Sequence, residues 1–163
     1  SMLGESVDME IAYGPLLPEG PWKTTTFGRL QEGLAATARY LDKHGTPASL
    51  DDLAEHRLLH WARPGVAASA LPLLDGGLFP VRPWLTSNDA WLVRQGAERH
   101  AGIAFVPQGP LPRRTPEPDP LVPVLPDLVG RPCTVNFLLA DGHAPRLRWR
   151  SLVDVARSVL NGL

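Results

Sequence analysis

Four short strings carry the residues best suited to chemistry. Ser87-Asn88-Asp89 precede a run in which Ala90, Val93, Ala97 and Ala101 recur at spacings of three and four. That spacing predicts a helix with one narrow apolar face, with Arg94, Glu98 and Arg99 opposite. Ser87 or Asn88 suits its N-cap. Asn88 and Asp89 would then stand where unpaired helical N–H groups point outward and a polar or anionic ligand is welcome. Plain capping would need the same residues, so both roles stay open. Tyr13 and Gly14 close an alternating run, as the rim of a site or simply as core and turn. Val106-Pro107-Gln108 close an apolar run, with Gln108 its better polar group. Thr37 and Arg39 supply a hydroxyl and a guanidinium. Arginine can hold a carboxylate bidentately, although a solvated surface charge is its commoner role.

Other groupings lead nowhere chemical. His56 and His60 are four apart, but the string is not H-E-x-x-H and a break between helix and strand falls between them, which disfavours zinc. Cys133 has no flanking signature of a thiol nucleophile and reads as buried and inert. No G-x-S-x-G, phosphate-binding loop or dinucleotide fingerprint occurs. The chain therefore reads as a non-enzyme, with no catalytic residues, metal or cofactor. Trp22, Trp61, Trp84, Trp91 and Trp149 lack interleaved basic residues and read as packing anchors, not base-stacking platforms.

The elements that must position these residues follow from local pattern. Val7, Met9, Ile11 and Tyr13 alternate with Asp8, Glu10 and Ala12, a half-buried strand ended by Gly14-Pro15. Leu16 to Pro21 is a turn-rich loop. Thr24–Leu30 and Leu34–Tyr40 are two further strand candidates, the alanines of the second suiting a helix equally. His44-Gly45-Thr46-Pro47 breaks the chain. Ser49 then caps a short helix, with Asp52 at the capping-box position and Leu50, Leu53 and Ala54 as its buried stripe. Leu58–Trp61 is a strand, residues 62–77 are small and flexible, and Leu78–Leu85 leads as a strand into the central helix. Gly102 is placed to stop that helix in a left-handed residue, and Ile103–Val106 reads as a buried parallel strand. Gln108–Pro120 is a proline-rich solvated loop. Leu121–Leu125 is an edge strand because of Pro123. Cys133–Leu139 is a strong strand, Asp141-Gly142-His143 a turn, and a last helix from Pro145 carries Trp149, Leu152, Ala156 and Val159 on one face. Alternating strands and helices make the class α/β.

With 163 residues the chain can form one sizeable domain or two small lobes. Its 16 basic and 17 acidic residues leave a formal charge of −1, with no basic field for nucleic acid. The single cysteine excludes an internal disulfide framework and fits a reducing, cytoplasmic compartment. Apolar runs are of strand length, so no membrane span is expected.

Several strings, in order, resemble the effector-binding domain of LysR-type transcriptional regulators. They are Val7-Asp8-Met9-Glu10-Ile11-Ala12-Tyr13-Gly14, then Ala38-Arg39-Tyr40-Leu41-Asp42-Lys43-His44-Gly45-Thr46-Pro47 with Asp52-Leu53 and His56. Ser87-Asn88-Asp89, Gly102-Ile103-Ala104-Phe105-Val106-Pro107 and Leu121-Val122-Pro123-Val124-Leu125-Pro126 continue the pattern. The resemblance spans nearly the whole chain. It implies a two-lobe fold like the type II periplasmic binding proteins, with the effector between the lobes. Residues 1–38 would be part of lobe I, 39–132 lobe II, and 133–163 the return to lobe I with a C-terminal helix.

The family's winged helix-turn-helix pattern and the strand–helix–strand that opens lobe I are not found in these residues. That leaves lobe I incomplete, and the resemblance implies DNA contact only through a domain absent here. The ligand-binding set it implies is Tyr13, Gly14, Thr37, Arg39, Ser87, Asn88, Asp89, Val106, Pro107 and Gln108. The expected function is sensing of a small polar or anionic effector together with self-association as a homodimer or higher oligomer. The alternative is a free-standing regulator-like protein that acts only by assembly. Glu10, where the family favours a small or apolar residue, is either an edge-strand charge suited to a shortened lobe or ordinary variation.

Overall fold

A computed structural model describes residues 9–14, 20, 22–62, 67–108 and 119–140, with Ser151, Asp154, Val155 and Ser158 beyond them. The chain divides into two compact units, Ser1–Leu30 with Pro132–Leu163, and Gln31–Arg131. The expected faces of the last helix, the loop before Pro120 and the turn at 141–143 lie outside the described residues. So does the turn-rich loop at 16–21, apart from Gly20. Ser151, Asp154, Val155 and Ser158 are helical. Among the described residues no helix is long and apolar enough to cross a membrane.

In the first unit, β1 (Met9–Tyr13) pairs antiparallel with β9 (Arg131–Ala140), Met9 opposite Leu139 and Tyr13 opposite Val135. β9 lies between β1 and the opening part of β2 (Trp22–Thr37). The alternation in β1 is less clean than its sequence suggests, because Ile11 is largely exposed. Leu138 packs against Ala12 and Trp22. The end of β1 is fastened by polar bonds: the Gly14 N–H donates to the Thr134 carbonyl at 2.8 Å, and its own carbonyl accepts from Asn136 Nδ2 at 3.1 Å and from the Thr134 hydroxyl.

The second unit is built on a mixed sheet. β3 (Leu58–Trp61) runs parallel to both β6 (Leu85–Ser87) and β7 (Ile103–Gln108). The closing part of β2 pairs antiparallel with β7 and with β8 (Leu121–Val124). The two strands expected at 24–30 and 34–40 are thus one continuous strand. It stops at Thr37, whose side chain accepts the Tyr40 N–H and starts α1 (Ala38–His44). Gly45 ends that helix at φ 88°, its N–H returning to the Leu41 carbonyl.

A 3-10 helix follows at Asp51–Glu55. Asp52 accepts the N–H groups of Ala48 and Ser49, which hold its carboxyl below the usual carboxylate range. That is the backward half of the expected capping box, but Leu50 stands at the N-cap. The tighter winding carries Ala54 off the face shared by Leu50 and Leu53, and it is exposed.

Residues 62–77 are not merely a flexible link. Within them β4 (Ala70–Pro72) forms a hairpin with β5 (Leu78–Pro80) around Gly76, which adopts φ 89°. The single strand expected over 78–85 is split in two, β5 and β6. Between them the Val81 N–H is taken by the Ser69 carbonyl and the Trp84 N–H by Leu58.

The central helix, α2, is Ala90–Glu98. Asp89, not Ser87 or Asn88, is its N-cap, because Asp89 Oδ1 accepts both the Trp91 and Leu92 N–H groups. Val93 and Ala97 are fully buried as their spacing predicts. Glu98 is buried too, against expectation, since Arg94 Nε at 2.8 Å and Gln95 Nε2 at 2.7 Å occupy both its carboxylate oxygens. The left-handed residue after the helix is His100, at φ 62°, not Gly102. Gly102 serves a different need: a Cβ there would stand 2.2 Å from the Arg57 carbonyl oxygen. Glycine lets β7 enter beside β3, where the Ile103 N–H meets that same carbonyl.

Candidate functional site

Strand alternation gives β3 and β7 two faces. Leu58, Ile103 and Phe105 join Leu34, Ala36, Leu71, Val124 and Val129 in one apolar cluster. α2 covers the other face, where Leu59 touches the helix at Gly96. The C-terminal ends of the parallel strands β3, β6 and β7 lie side by side, since Trp61 is level with Ser87, and His60 with Phe105. In open α/β sheets this edge is where ligands gather.

Six of the ten residues expected to bind ligand lie along that edge. Ser87, Asn88 and Asp89 lead from β6 into α2. The Ser87 hydroxyl accepts the Asp89 N–H at 3.1 Å, and the Asn88 carbonyl accepts Trp61 Nε1 at 3.1 Å, leaving the Asn88 side chain exposed. Val106 and Pro107 are buried at the end of β7. Gln108 Nε2 donates to the carbonyls of Gly33 at 3.0 Å and Val106 at 3.3 Å.

Thr37 and Arg39 are elsewhere. β2 is antiparallel to β7 with Gln31 opposite Gln108, so Thr37 falls at the far end of the strand pair from Gln108. Its buried hydroxyl shares a hydrogen bond with His100 Nδ1 at 2.7 Å, and His100 Nε2 lies 3.4 Å from Asp119. Arg39 is exposed on α1. Tyr13 and Gly14 belong to the first unit. Gly14 is buried at φ 104°, and the Tyr13 phenol is pushed above its ordinary value by burial and by Cys133.

His56 and His60 do not converge. His56 Nδ1 meets the Tyr40 hydroxyl at 3.3 Å, and its pKa is depressed by burial and by His44. His60 stacks on Phe105 with ring centroids 5.5 Å apart. Cys133 is buried, its Sγ 3.6 Å from the Thr134 carbonyl. Trp61 is a core anchor as expected, but Trp84 and Trp91 are exposed. The Arg57 guanidinium lies over the Trp84 ring, 5.2 Å from its centroid. Those two tryptophans, with Leu92, border an open groove of about 410 Å³ against α2, floored by Leu59 and Gly96.

Sequence reasoning passed over a buried polar set at the same strand edge. Glu32 is fully buried and its Oε2 accepts Arg131 Nε at 2.7 Å. Gly130 lets its backbone pass close to that of β2, since a Cβ there would stand 2.8 Å from the Glu32 carbonyl oxygen. His60 is also buried, with Nδ1 3.2 Å from the Trp61 carbonyl. A carbonyl only accepts, so Nδ1 carries the proton. Burial lowers the His60 pKa most, and Arg131 lowers it further, while the Trp61 and Ala70 carbonyls and Glu32 favour the charged form. His60 Nε2 and Arg131 Nη2 are buried with no hydrogen-bond partner among the described residues. The one sequence signal is His60, a polar residue inside the otherwise apolar run Leu58–Trp61, whereas Glu32 follows Arg29 and Gln31 and stands out from nothing.

A family model described as the LysR substrate binding domain matches residues 1–161. Among solved structures, the regulatory domain of CrgA, a LysR-type transcriptional regulator from Neisseria meningitidis, is 22% identical with a TM-score of 0.76, over 94% of this chain and 76% of that one. Full-length AphB from Vibrio cholerae, a virulence activator, is 21% identical with a TM-score of 0.64, over 93% of this chain and 51% of its own. The effector domain of AmpR from Pseudomonas aeruginosa is 15% identical with a TM-score of 0.66, over 99% and 78%. The chain therefore spans about half the length of the full-length regulator. At these identities the likeness establishes the fold, a mixed α/β architecture of the periplasmic-binding-protein kind with few helices. No curated protein matches the chain.

Proposed function

Because the chain belongs to the LysR substrate-binding domain family, we propose that it is the effector-sensing part of a transcriptional regulator and takes up a small polar or anionic metabolite. The family is one of regulator domains, not of enzymes. The observation that carries the reading is the gathering of Ser87–Asp89 and Val106–Gln108 on one strand edge, beside the unsatisfied donors and acceptors of His60 and Arg131. Polar groups left unpaired at a sheet edge are costly unless something binds them. DNA contact is assigned to a winged helix-turn-helix domain outside these residues. The single cysteine supports a cytoplasmic setting.

Self-association is part of the proposal. The exposed Trp84, Trp91 and Leu92 make an apolar patch of a kind that marks contact surfaces. The same patch favours the second reading, a protein that acts only by assembly. Thermal melting across a panel of organic acids, amino acids and sugars separates the two. Saturable stabilisation by one chemical class, about 2.7 kcal/mol at a hundredfold excess over Kd, supports sensing. A flat panel alongside concentration-dependent sedimentation supports assembly alone.

A further inference from the structure

The open groove along α2 has an order of its own. Asp89, Leu92, Gly96 and Arg99 all line it. Spaced by three, four and three, they form one row along the helix. Asp89 is the N-cap and Arg99 the C-cap, so the row runs the whole length of α2, roughly 15 Å at about 1.5 Å per residue. Leu92 stands out from the helix, 53% exposed, with Trp84 and Trp91 exposed beside it. Gly96 leaves a hollow, floored by Leu59: a Cβ on Gly96 would stand 3.0 Å from Leu59 Cδ1.

The ends of the row carry opposite charges. Asp89 is exposed, and only its Oδ1 is taken, by the Trp91 and Leu92 N–H groups. The arginine that pairs with Glu98 is Arg94. Arg99 is exposed and makes no ion pair among the described residues. From one end to the other the groove therefore presents an acid, a protruding leucine, a hollow and a base.

That order fits a copy of itself running the other way. Turning a second α2 end for end about a point level with Arg94, the middle of the helix, sets each Asp89 against the other copy's Arg99. The same turn sets each Leu92 over the other copy's hollow. A parallel pairing would place acid on acid, arginine on arginine and leucine on leucine, with the hollows empty. An acid at the N-terminus and a base at the C-terminus also suit the helix's own dipole. The dipole, however, asks for no leucine and glycine placed symmetrically between them. A two-fold interface does, because every contact in it occurs twice with the roles exchanged.

We infer that the groove receives a second copy of this chain, its α2 antiparallel to the first, with Asp89 against the partner's Arg99 and Leu92 over the partner's Gly96. The inference rests on the self-association in the reading above, and it names the surface and the register.

Charge reversal tests the register. The whole chain is followed by sedimentation velocity over a wide range of concentration. Arg99→Glu alone creates two acid–acid contacts per dimer, and Asp89→Lys alone creates two base–base contacts. Each is expected to raise the Kd of self-association at least about tenfold. An equimolar mixture of the two variants restores both attractive pairs, so mixed dimers should form near the wild-type Kd. Added salt should weaken the wild-type dimer and strengthen the two single variants. Asp89→Lys also gives up a helix cap, so Asp89→Asn, which keeps a capping oxygen, is run beside it and should weaken association less. A mixture that associates no better than either variant overturns the inference. Association indifferent to both reversals does the same, and leaves self-association through another face standing. A wild-type chain that stays monomeric at every concentration overturns the register and the self-association together.

Discussion

The two faces of the β3–β7 pair solve the same problem differently. On the α2 face, polar groups are satisfied by near neighbours whether exposed or buried: exposed Asp89 takes two N–H groups one turn ahead, and buried Glu98 takes Arg94 and Gln95 from its own helix. On the opposite face, Glu32 and His60 are buried, and the cation that answers Glu32 comes from the other end of the unit's sequence, at Arg131. Local satisfaction is robust and chemically closed. Distant satisfaction is fragile, and it leaves valences over. The first face carries the exposed apolar groove.

Breaking that contrast begins with its strongest member. Glu32→Ala is expected to cost about 3 kcal/mol in urea unfolding, because it strands a partly buried Arg131. A cost below about 1 kcal/mol would place the pair with ordinary surface bridges. Next comes pH. Burial holds the folded-state pKa of His60 below its ordinary value of about 6.5. The unfolded chain then binds the proton first, so stability falls as pH drops below about 6.5, by no more than about 1.4 kcal/mol per pH unit for one group. His56 shifts in the same direction. The share of His60 is thus the difference between the pH–melting curves of wild type and His60→Gln.

Asp89→Ala, on the local face, should lose about 1 kcal/mol, the ordinary value of a cap. Ser87→Ala should lose less, since Ser87 does not cap α2. Thermal melting of both variants decides between Asp89 and the two caps that the sequence favoured. The smallest stability effect is expected at the groove. Trp91→Ser should change unfolding by roughly 0.5 kcal/mol or less, yet weaken self-association in sedimentation if that patch is the contact surface.

Much of this was legible in the residues. Ile103–Val106 declared a buried strand because no polar residue interrupts it, and Val93 and Ala97 declared the inner face of α2 by spacing alone. Gly45 and Pro123 marked a helix end and an edge strand by what their backbones permit. Errors arose where a distant contact decided the outcome. Gly102 was read as a helix stop because that is glycine's commonest local role. Its actual reason is the Arg57 carbonyl, which no local pattern reveals. The bond between Glu32 and Arg131 is invisible for the same reason, since it joins residues 99 positions apart. Thr37 offers a hydroxyl to any local reading, and only the antiparallel register shows that it lies at the far end of the strand pair from Gln108.

The pairing of β2 bears on how the chain leaves the ribosome. Both partners of its closing half, β7 and β8, are made long after Thr37 has emerged. At about 5–20 residues per second, Leu34-Ala35-Ala36 waits several seconds for its neighbours. Through that interval Glu32 is a charge set against the most adhesive stretch of the nascent strand, the placement of a gatekeeper against misassembly.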